Sequence, residues 1–165
     1  ELWISFGTIW ILKFEINFMS SRIKFKIITP EKTVLEAEVL QATLPVADGE
    51  VTILPNHRSY IASLKAGEIC LKRTDGDVCI AVSGGFIEFN KNGLIVLADT
   101  AERAEEIDIE RAEAARKRAE ELKKEKIEMD DSEYAKVAAA IEKELARIKV
   151  GRKHRSRGGM RIDQN

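Results

Sequence analysis

Residues 77–99, "DVCIAVSGGFIEFNKNGLIVLAD", carry the pattern that decides the fold. Apolar and β-branched residues dominate the runs on both sides of Gly84-Gly85 and of Asn92-Gly93. Asn-Gly between apolar runs is a strong hairpin signal, because both residues tolerate positive φ. The stretch therefore predicts consecutive antiparallel strands with turns at these glycines.

Apolar runs separated by turn signals also occur upstream of this stretch. "RIKFKIIT" (22–29) alternates basic and apolar residues with period two, which is typical of a strand with one wet face. Further turn signals stand at residues 47–49, 55–56, 66–67 and 75–76. Turns that recur about every ten residues favour a β-sandwich or barrel over a parallel α/β sheet. We expect an N-terminal antiparallel β-sandwich or barrel over residues 19–100.

Beyond Thr100 the period changes to that of a helix, beginning in "EEIDIERAEAARKRAEE" (105–121). Apolar residues then recur every three or four positions: Ala112, Ala115, Ala119 and Leu122, followed by Tyr134, Ala138, Ile141, Leu145 and Ile148. Asp108 is a good N-cap for the first helix, and Asp131 or Ser132 for the second. Residues 101–150 therefore predict an antiparallel two-helix hairpin that follows the β domain.

This hairpin is expected to be weakly held. More than half of residues 101–149 are charged, and the apolar stripes are rich in alanine. Alanine in place of leucine at a buried seam forgoes about 2–5 kcal/mol per site. A hairpin of this composition leaves its docked position at modest cost, which indicates a moving part.

The two ends of the chain have compositions of their own. Residues 1–18 are apolar and aromatic, but the longest uncharged run is shorter than the ~20 residues that span a bilayer. They also lack the basic start and the cleavage site of a signal peptide. We expect a non-native upstream extension before an initiator Met19, with a membrane-surface anchor as the alternative. Residues 151–165 predict a basic disordered tail.

Charge and cysteine content exclude some functions. A formal net charge of −1 gives no global attraction to nucleic acid. Cys70 and Cys79 flank the Asp75-Gly76 turn, and a two-residue loop would place them on a diagonal ~7–8 Å apart, too far for an easy disulfide. We expect two reduced core cysteines in a cytosolic setting and, since no ligand spacing is present, no metal site.

Two long blocks carry a family resemblance: "DGEVTILPNHRSYIASLKAGEI" (48–69) and "AVSGGFIEFNKNGLIVLADTAERAEEIDIERA" (81–112). With their order and spacing, the chain resembles the ε subunits of the bacterial rotary F-type ATP synthase from about Arg22 to Val150. Ser59 departs from the family, which usually has proline there.

The resemblance implies a non-catalytic central-stalk subunit, which couples the rotor to proton-driven ATP synthesis and inhibits ATP hydrolysis through mobile C-terminal helices. It implies that the β-sandwich binds the rotor, with Glu50 contacting the c-subunit ring and His57 contacting the γ subunit. Extended helices would reach the α/β catalytic subunits. The complex would place the chain peripherally on the cytoplasmic face of the bacterial plasma membrane.

A regulatory nucleotide site is the remaining expectation. Arg118 lies seven residues after Arg111, hence on the same helix face, and Arg147 meets that face if the hairpin closes. Converging guanidinium groups suit a polyphosphate, whereas the simpler interpretation is a capping Asp108 beside a solvated Arg111. No Walker-type loop is present, so ATP would be sensed and not hydrolysed, and no cofactor is obligatory.

The resemblance assigns the members of this site. In several bacterial ε subunits, the pattern Ile/Leu-Asp-x-x-Arg-Ala marks an ATP site, and residues 107–112 match it. Glu102 and Asp108 would then hold the adenine or ribose side, and Ala112 would allow close approach. The phosphates would meet Arg111, Arg118 and Arg147. Lys143 stands where the family has a further arginine.

Two other classes of function compete with this interpretation. A hydrolase would have to rely on Ser83 and His57, without a second histidine nearby. A small β-barrel nucleic-acid-binding module would rely on the basic tail, but its strands lack exposed aromatic pairs for base stacking. We therefore expect no catalytic residue and no nucleic-acid partner.

Overall fold

The computed structural model describes residues 21–125 and 130–160. Eight strands come first: β1 (Ile23–Ile28), β2 (Thr33–Val39), β3 (Gln41–Val46), β4 (Gly49–Ile53), β5 (Tyr60–Lys72), β6 (Val78–Asn90), β7 (Gly93–Ala98) and β8 (Ala101–Arg103). A 3₁₀ turn (Ala104–Glu106) leads to helices α1 (Ile109–Glu125) and α2 (Asp131–Met160). The predicted β-then-α fold class is confirmed. The expectations for residues 1–18 and Met19 lie outside the described residues.

The strands form one open sheet in the order β2-β1-β7-β6-β5-β3-β4, with β8 paired to β6. Only the β1–β7 pair is parallel among the strands described. Strands β2 and β4 lie at opposite ends of this order, yet Val39 and Ile53 belong to the same buried cluster. The sheet must therefore fold over on itself, and its inward side chains fill a single core.

Two tight turns match the predicted hairpin signals. Ala47 and Asp48 join β3 to β4, since Val46 pairs with Gly49. Lys91 and Asn92 join β6 to β7 with φ values of 47° and 61°, as a turn with two left-handed central residues requires. The turn is centred one residue before the predicted Asn92-Gly93, because Gly93 already pairs with Asn90 in the ladder.

Two predicted turns are wrong. Gly84-Gly85 lies inside β6, and Ala66-Gly67 lies inside β5. These glycines permit close approach of backbone and not chain reversal. A Cβ on Gly85 would lie 1.9 Å from the carbonyl oxygen of Leu97, and one on Gly67 would lie 2.9 Å from Cβ of Pro45.

The cysteine arrangement also differs from expectation. Strands β5 and β6 pair as far as Leu71 opposite Val78, so residues 73–77 form a longer connection than the assumed two-residue loop. Cys70 therefore lies directly opposite Cys79, and the two Sγ atoms are 3.2 Å apart. Both thiols are free and half-buried, and they lie on the outer face of the sheet beneath α2.

Both helices begin at aspartate caps. The Oδ1 atom of Asp108 accepts a hydrogen bond from the Arg111 backbone N at 3.0 Å, as predicted. For α2 the cap is Asp130 instead of Asp131 or Ser132, since its Oδ1 accepts from the Glu133 backbone N at 2.7 Å. Neither of the described helices is long and apolar enough to cross a membrane.

Helix α2 continues to Met160, so residues 151–160 differ from the predicted disordered tail. The reason is that this part of the helix has partners. Gly151 is buried, Arg152 forms an ion pair with Glu113, and Lys153 forms one with Glu68. Residues 161–165 of the predicted tail lie outside the described part of the chain.

Gly85→Ala is expected to destabilise the sheet far more than Gly76→Ala. Both glycines have a φ of 132°, but a Cβ on Gly76 meets nothing within 4 Å. Gly76→Ala therefore measures backbone strain alone, about 1–3 kcal/mol. Gly85→Ala should lower the free energy of unfolding by a further ~3 kcal/mol, which is the upper end for overpacking. Urea unfolding measures both variants. Equal losses in the two variants would contradict the close β6–β7 approach.

Candidate functional site

The hairpin docks on the outer face of β6 through a small apolar cluster. Its buried members are small or β-branched: Ala81, Ala104, Ile107, Ile109 and Val150. Cys79 packs at its edge. This cluster is separate from the core of the sandwich, and it contains neither a leucine nor an aromatic side chain. Apolar burial therefore holds the hairpin only modestly.

Gly151 lets α2 approach the start of α1. A Cβ at this position would lie 2.9 Å from Cγ1 of Ile109 and 3.2 Å from Cγ2 of Ile107. Glycine inside a helix costs about 1 kcal/mol relative to alanine. The close crossing at the base of the hairpin thus comes at the expense of local helix stability.

Arg147 is the central polar contact between α2 and the sandwich. Its Nε donates to Oε2 of Glu102 at 2.6 Å, and its Nη2 donates to Oε1 of the same carboxylate at 3.2 Å. Nη1 donates to Glu144 at 2.8 Å. The Arg147 and Glu102 side chains are only 17% and 29% exposed. The hydrogen bonds to Glu102 raise the pKa of Arg147, more than burial lowers it.

Two further ion pairs hold the C-terminal part of α2. Nη2 of Arg152 lies 2.5 Å from Oε1 of Glu113 on α1. Nζ of Lys153 donates to both carboxylate oxygens of Glu68 on β5, at 2.9 and 2.8 Å. Burial raises the pKa of Glu68, but the hydrogen bond from Lys153 and those from the neighbouring thiols outweigh it, so the pKa lies below its usual value.

Away from the sandwich the seam between the helices is thin. Leu122, Tyr134 and Leu145, all members of the predicted stripes, are exposed. Nζ of Lys123 lies 4.7 Å from the ring centroid of Tyr134. By contrast, Ala112, Ala146 and Ile148 are buried close to the sandwich. The helices are therefore anchored at the sandwich and weakly packed against each other farther out.

A cleft of about 360 Å³ lies where the hairpin meets β8, and it contains part of the predicted nucleotide site. Glu102, Arg111 and Arg147 line it together with Lys143. Lys32 adds a further cation, and Glu31 and Glu106 add acids. The lining thus holds four basic and three acidic side chains, a slight positive excess that suits an anion.

The other three predicted members lie outside this lining. The Asp108 carboxylate caps α1, and Ala112, in the first turn of α1, is fully buried. Arg118 lies exposed two turns beyond Arg111, which is about 10 Å along the helix axis. The cleft therefore brings together three of the six predicted residues.

The two predicted partner-binding residues lie in different surroundings. Glu50 is exposed on β4, the last strand in the sheet order. His57 is half-buried, with Nδ1 2.9 Å from the Arg58 carbonyl oxygen and edge contacts to Tyr60 and Phe89.

An exposed apolar patch on the sandwich was missed from the sequence. Ile61 and Phe86 are 74% and 61% exposed, and Ile95 and Leu97 are also exposed. Phe86 pairs with Leu97 across β6 and β7, whereas Glu88 lies between Ile61 and Ile95, so the patch is an apolar cluster with one acid at its edge. The signal was available: "GLIVLA" is apolar on both faces of β7, whereas a strand with one wet face alternates.

Family comparison gives this arrangement its context. Residues 22–104 match the family model described as "ATP synthase, Delta/Epsilon chain, beta-sandwich domain". Residues 105–151 match the model described as "ATP synthase, Delta/Epsilon chain, long alpha-helix domain". The chain belongs to the ATP synthase delta/epsilon family. It is an ε chain of the F-type enzyme, a non-catalytic subunit, which confirms the resemblance.

Relatives named "ATP synthase epsilon chain" match along most of their length. The protein of Geobacter sulfurreducens is 40% identical over 135 residues, which cover 82% of this chain and 97% of the relative. That of Desulforamulus reducens is 41% identical over 132 residues, covering 80% and 98%.

Solved structures share the fold at low identity. A chain of the Euglena gracilis mitochondrial ATP synthase, solved with OSCP, F1 and c-ring, superposes with a TM-score of 0.63 at 20% identity. The match covers 75% of this chain and 78% of that one. A chain of the Tetrahymena thermophila central stalk and c-ring gives 0.51 at 15% identity, covering 80% and 95%.

The Arg147–Glu102 contact is expected to be the strongest polar interaction between the hairpin and the sandwich. A double-mutant cycle of Glu102→Gln and Arg147→Met should give a coupling of ~1–3 kcal/mol in urea unfolding, because both charges are largely buried. The exposed Arg116–Glu120 pair serves as the matched control, with an expected ~0.3–0.5 kcal/mol. Equal couplings for both pairs would contradict the assignment.

Proposed function

We propose that this ε chain works in the central stalk, where its sandwich binds the γ subunit and so couples the rotor to proton-driven ATP synthesis. The exposed patch of Ile61, Phe86, Ile95 and Leu97 is the observation that carries this proposal. A cluster of exposed large apolar side chains on a small domain marks a protein-binding site. The Euglena and Tetrahymena chains with the same fold come from structures that contain the c-ring, which agrees with such a place.

Two residues extend this rotor-binding surface. His57 contacts γ, and the loop that carries it is firmly placed because the Asn56 backbone N donates to Oδ1 of Asn92 at 2.7 Å. Glu50 contacts the c-ring from the exposed edge strand β4. With these contacts, the chain lies peripherally on the cytoplasmic face of the bacterial plasma membrane.

The hairpin regulates ATP hydrolysis by leaving the sandwich. In the docked form described above, its helices are held by a small apolar cluster and a few ion pairs. Released helices extend towards the α/β catalytic subunits and block hydrolysis. The two forms must be close in free energy for such a switch to work, and the thin seam beyond Ala112 supports this.

ATP favours the docked form by occupying the cleft beside β8. Arg111, Lys143 and Arg147 meet the phosphates, and Glu102 faces the nucleoside. A ligand that binds the docked form ~100-fold more tightly stabilises it by about 2.7 kcal/mol. Because Arg147 already binds Glu102 and Glu144, the phosphates must compete with two carboxylates. Arg118 and Asp108 join the site only if the nucleotide extends along α1.

Phe86→Glu is expected to weaken co-purification with γ, by about 30-fold or more in Kd, since a charge would enter the centre of an apolar contact. Tyr134→Glu is the matched control, because Tyr134 is also an exposed aromatic residue but lies on the hairpin. Pull-down and interferometry on purified γ measure both variants. Unchanged binding by the Phe86 variant would refute the proposed surface.

Arg111→Ala is expected to weaken nucleotide binding about 10-fold or more, because a charge-assisted hydrogen bond contributes ~1.5–3 kcal/mol. Arg116→Ala on the same helix is the control, since Arg116 does not line the cleft. Calorimetric titration of the full chain with ATP gives the affinities. If Arg111→Ala and Arg118→Ala both retain wild-type affinity, the nucleotide site is wrong.

A further inference from the structure

Three potential metal ligands converge on the outer face of β5 and β6, under α2. A carboxylate oxygen of Glu68 and the Sγ atoms of Cys70 and Cys79 all lie within 4.8 Å of one another. The register explains this convergence. Cys70 lies opposite Cys79, and Glu68 is two residues before Cys70, so its side chain is on the same face.

We propose that Glu68, Cys70 and Cys79 bind a zinc ion, with a water molecule as the fourth ligand. Two thiolates and a carboxylate are ligands that zinc prefers, and one open position beside three protein ligands is a common zinc arrangement. With Zn–S bonds of ~2.3 Å, the two sulfur atoms of a tetrahedral site lie about 3.8 Å apart. The present 3.2 Å separation of the Sγ atoms needs only a small side-chain rotation to reach that value.

The charges of the site balance when zinc binds. A divalent cation and two thiolates sum to zero, and the Glu68 carboxylate already has Lys153 as its counter-ion. Glu68 is only 7% exposed, so a net charge at this position would be costly to bury. One oxygen of Glu68 can bind zinc while the other keeps the hydrogen bond from Lys153, which fixes the orientation of the carboxylate.

Lys153 supplies a positive charge beside the proposed ligands. Nζ of Lys153 lies 3.8 Å from Sγ of Cys70 and adds a positive charge. Zinc binding displaces one proton from each thiol, and both protons are released to water.

The carboxylate distinguishes a zinc site from a simple disulfide pair. A disulfide needs only the two cysteines, whereas Glu68 faces both sulfur atoms and supplies a hard third ligand. Oxidation to a Cys70–Cys79 disulfide is the competing outcome, and the experiment below separates the two.

The full-length chain, reduced with a phosphine and freed of metal by a chelator, is titrated with Zn²⁺ against a chromophoric chelator. We expect one tightly bound zinc per chain. Cys70→Ser and Cys79→Ser should each weaken the affinity by about 100-fold or more, and Glu68→Gln by about 10-fold or more. X-ray absorption should show two sulfur atoms at ~2.3 Å from the metal.

His57→Gln and His154→Gln are the controls, because they remove the only histidines in the sequence but leave the site intact. Both should keep the wild-type zinc affinity. Urea unfolding of each metal-free variant verifies that lost binding is not lost folding. Zinc binding that survives both serine substitutions overturns the proposal, and so does a reduced wild-type chain that binds no zinc. A Cys70–Cys79 disulfide whose reduction fails to restore zinc binding overturns it as well.

Discussion

The pairing register of β5 with β6 is the constraint on which the rest of the structure depends. Each of these two strands makes contacts with both of its faces. Their inward residues, such as Ile69 and Ile80, fill the core, while their outward residues carry the hairpin at one end and the apolar patch at the other. A slip of one residue would exchange the two faces completely. Gly85 secures the register by allowing β6 to lie unusually close to β7.

Local patterns in the sequence were sufficient for much of the fold. Strand alternation, the helical period beyond Thr100 and the Asp108 cap all depend on neighbouring residues, and the structure contains them. A turn was wrongly predicted at Gly84-Gly85, because glycine occurs both in turns and where two strands approach closely. The predicted diagonal placement of the two cysteines was wrong because it assumed a two-residue loop between β5 and β6. Residues 73–77 make this connection longer, and the strand register changes with it.

The candidate site was harder to predict because its contacts join distant parts of the chain. Arg147 meets Glu102 across 45 residues, and Lys153 meets Glu68 across 85. Such pairs decide that α2 continues past Val150, where composition alone indicated disorder. The family pattern placed Arg111 and Arg147 in one cleft, but it could not show that Glu102 and Glu144 already bind Arg147.

The position of Cys70 and Cys79 beneath α2 makes the chain its own reporter of hairpin opening. Both thiols are half-buried while α2 is docked, and Lys153 and the cluster that contains Val150 contact them from that helix. The rate of alkylation by a small reagent should therefore increase when α2 lifts from β5 and β6. Natural side chains would thus report opening of the hairpin inside an assembled rotor, without any attached dye.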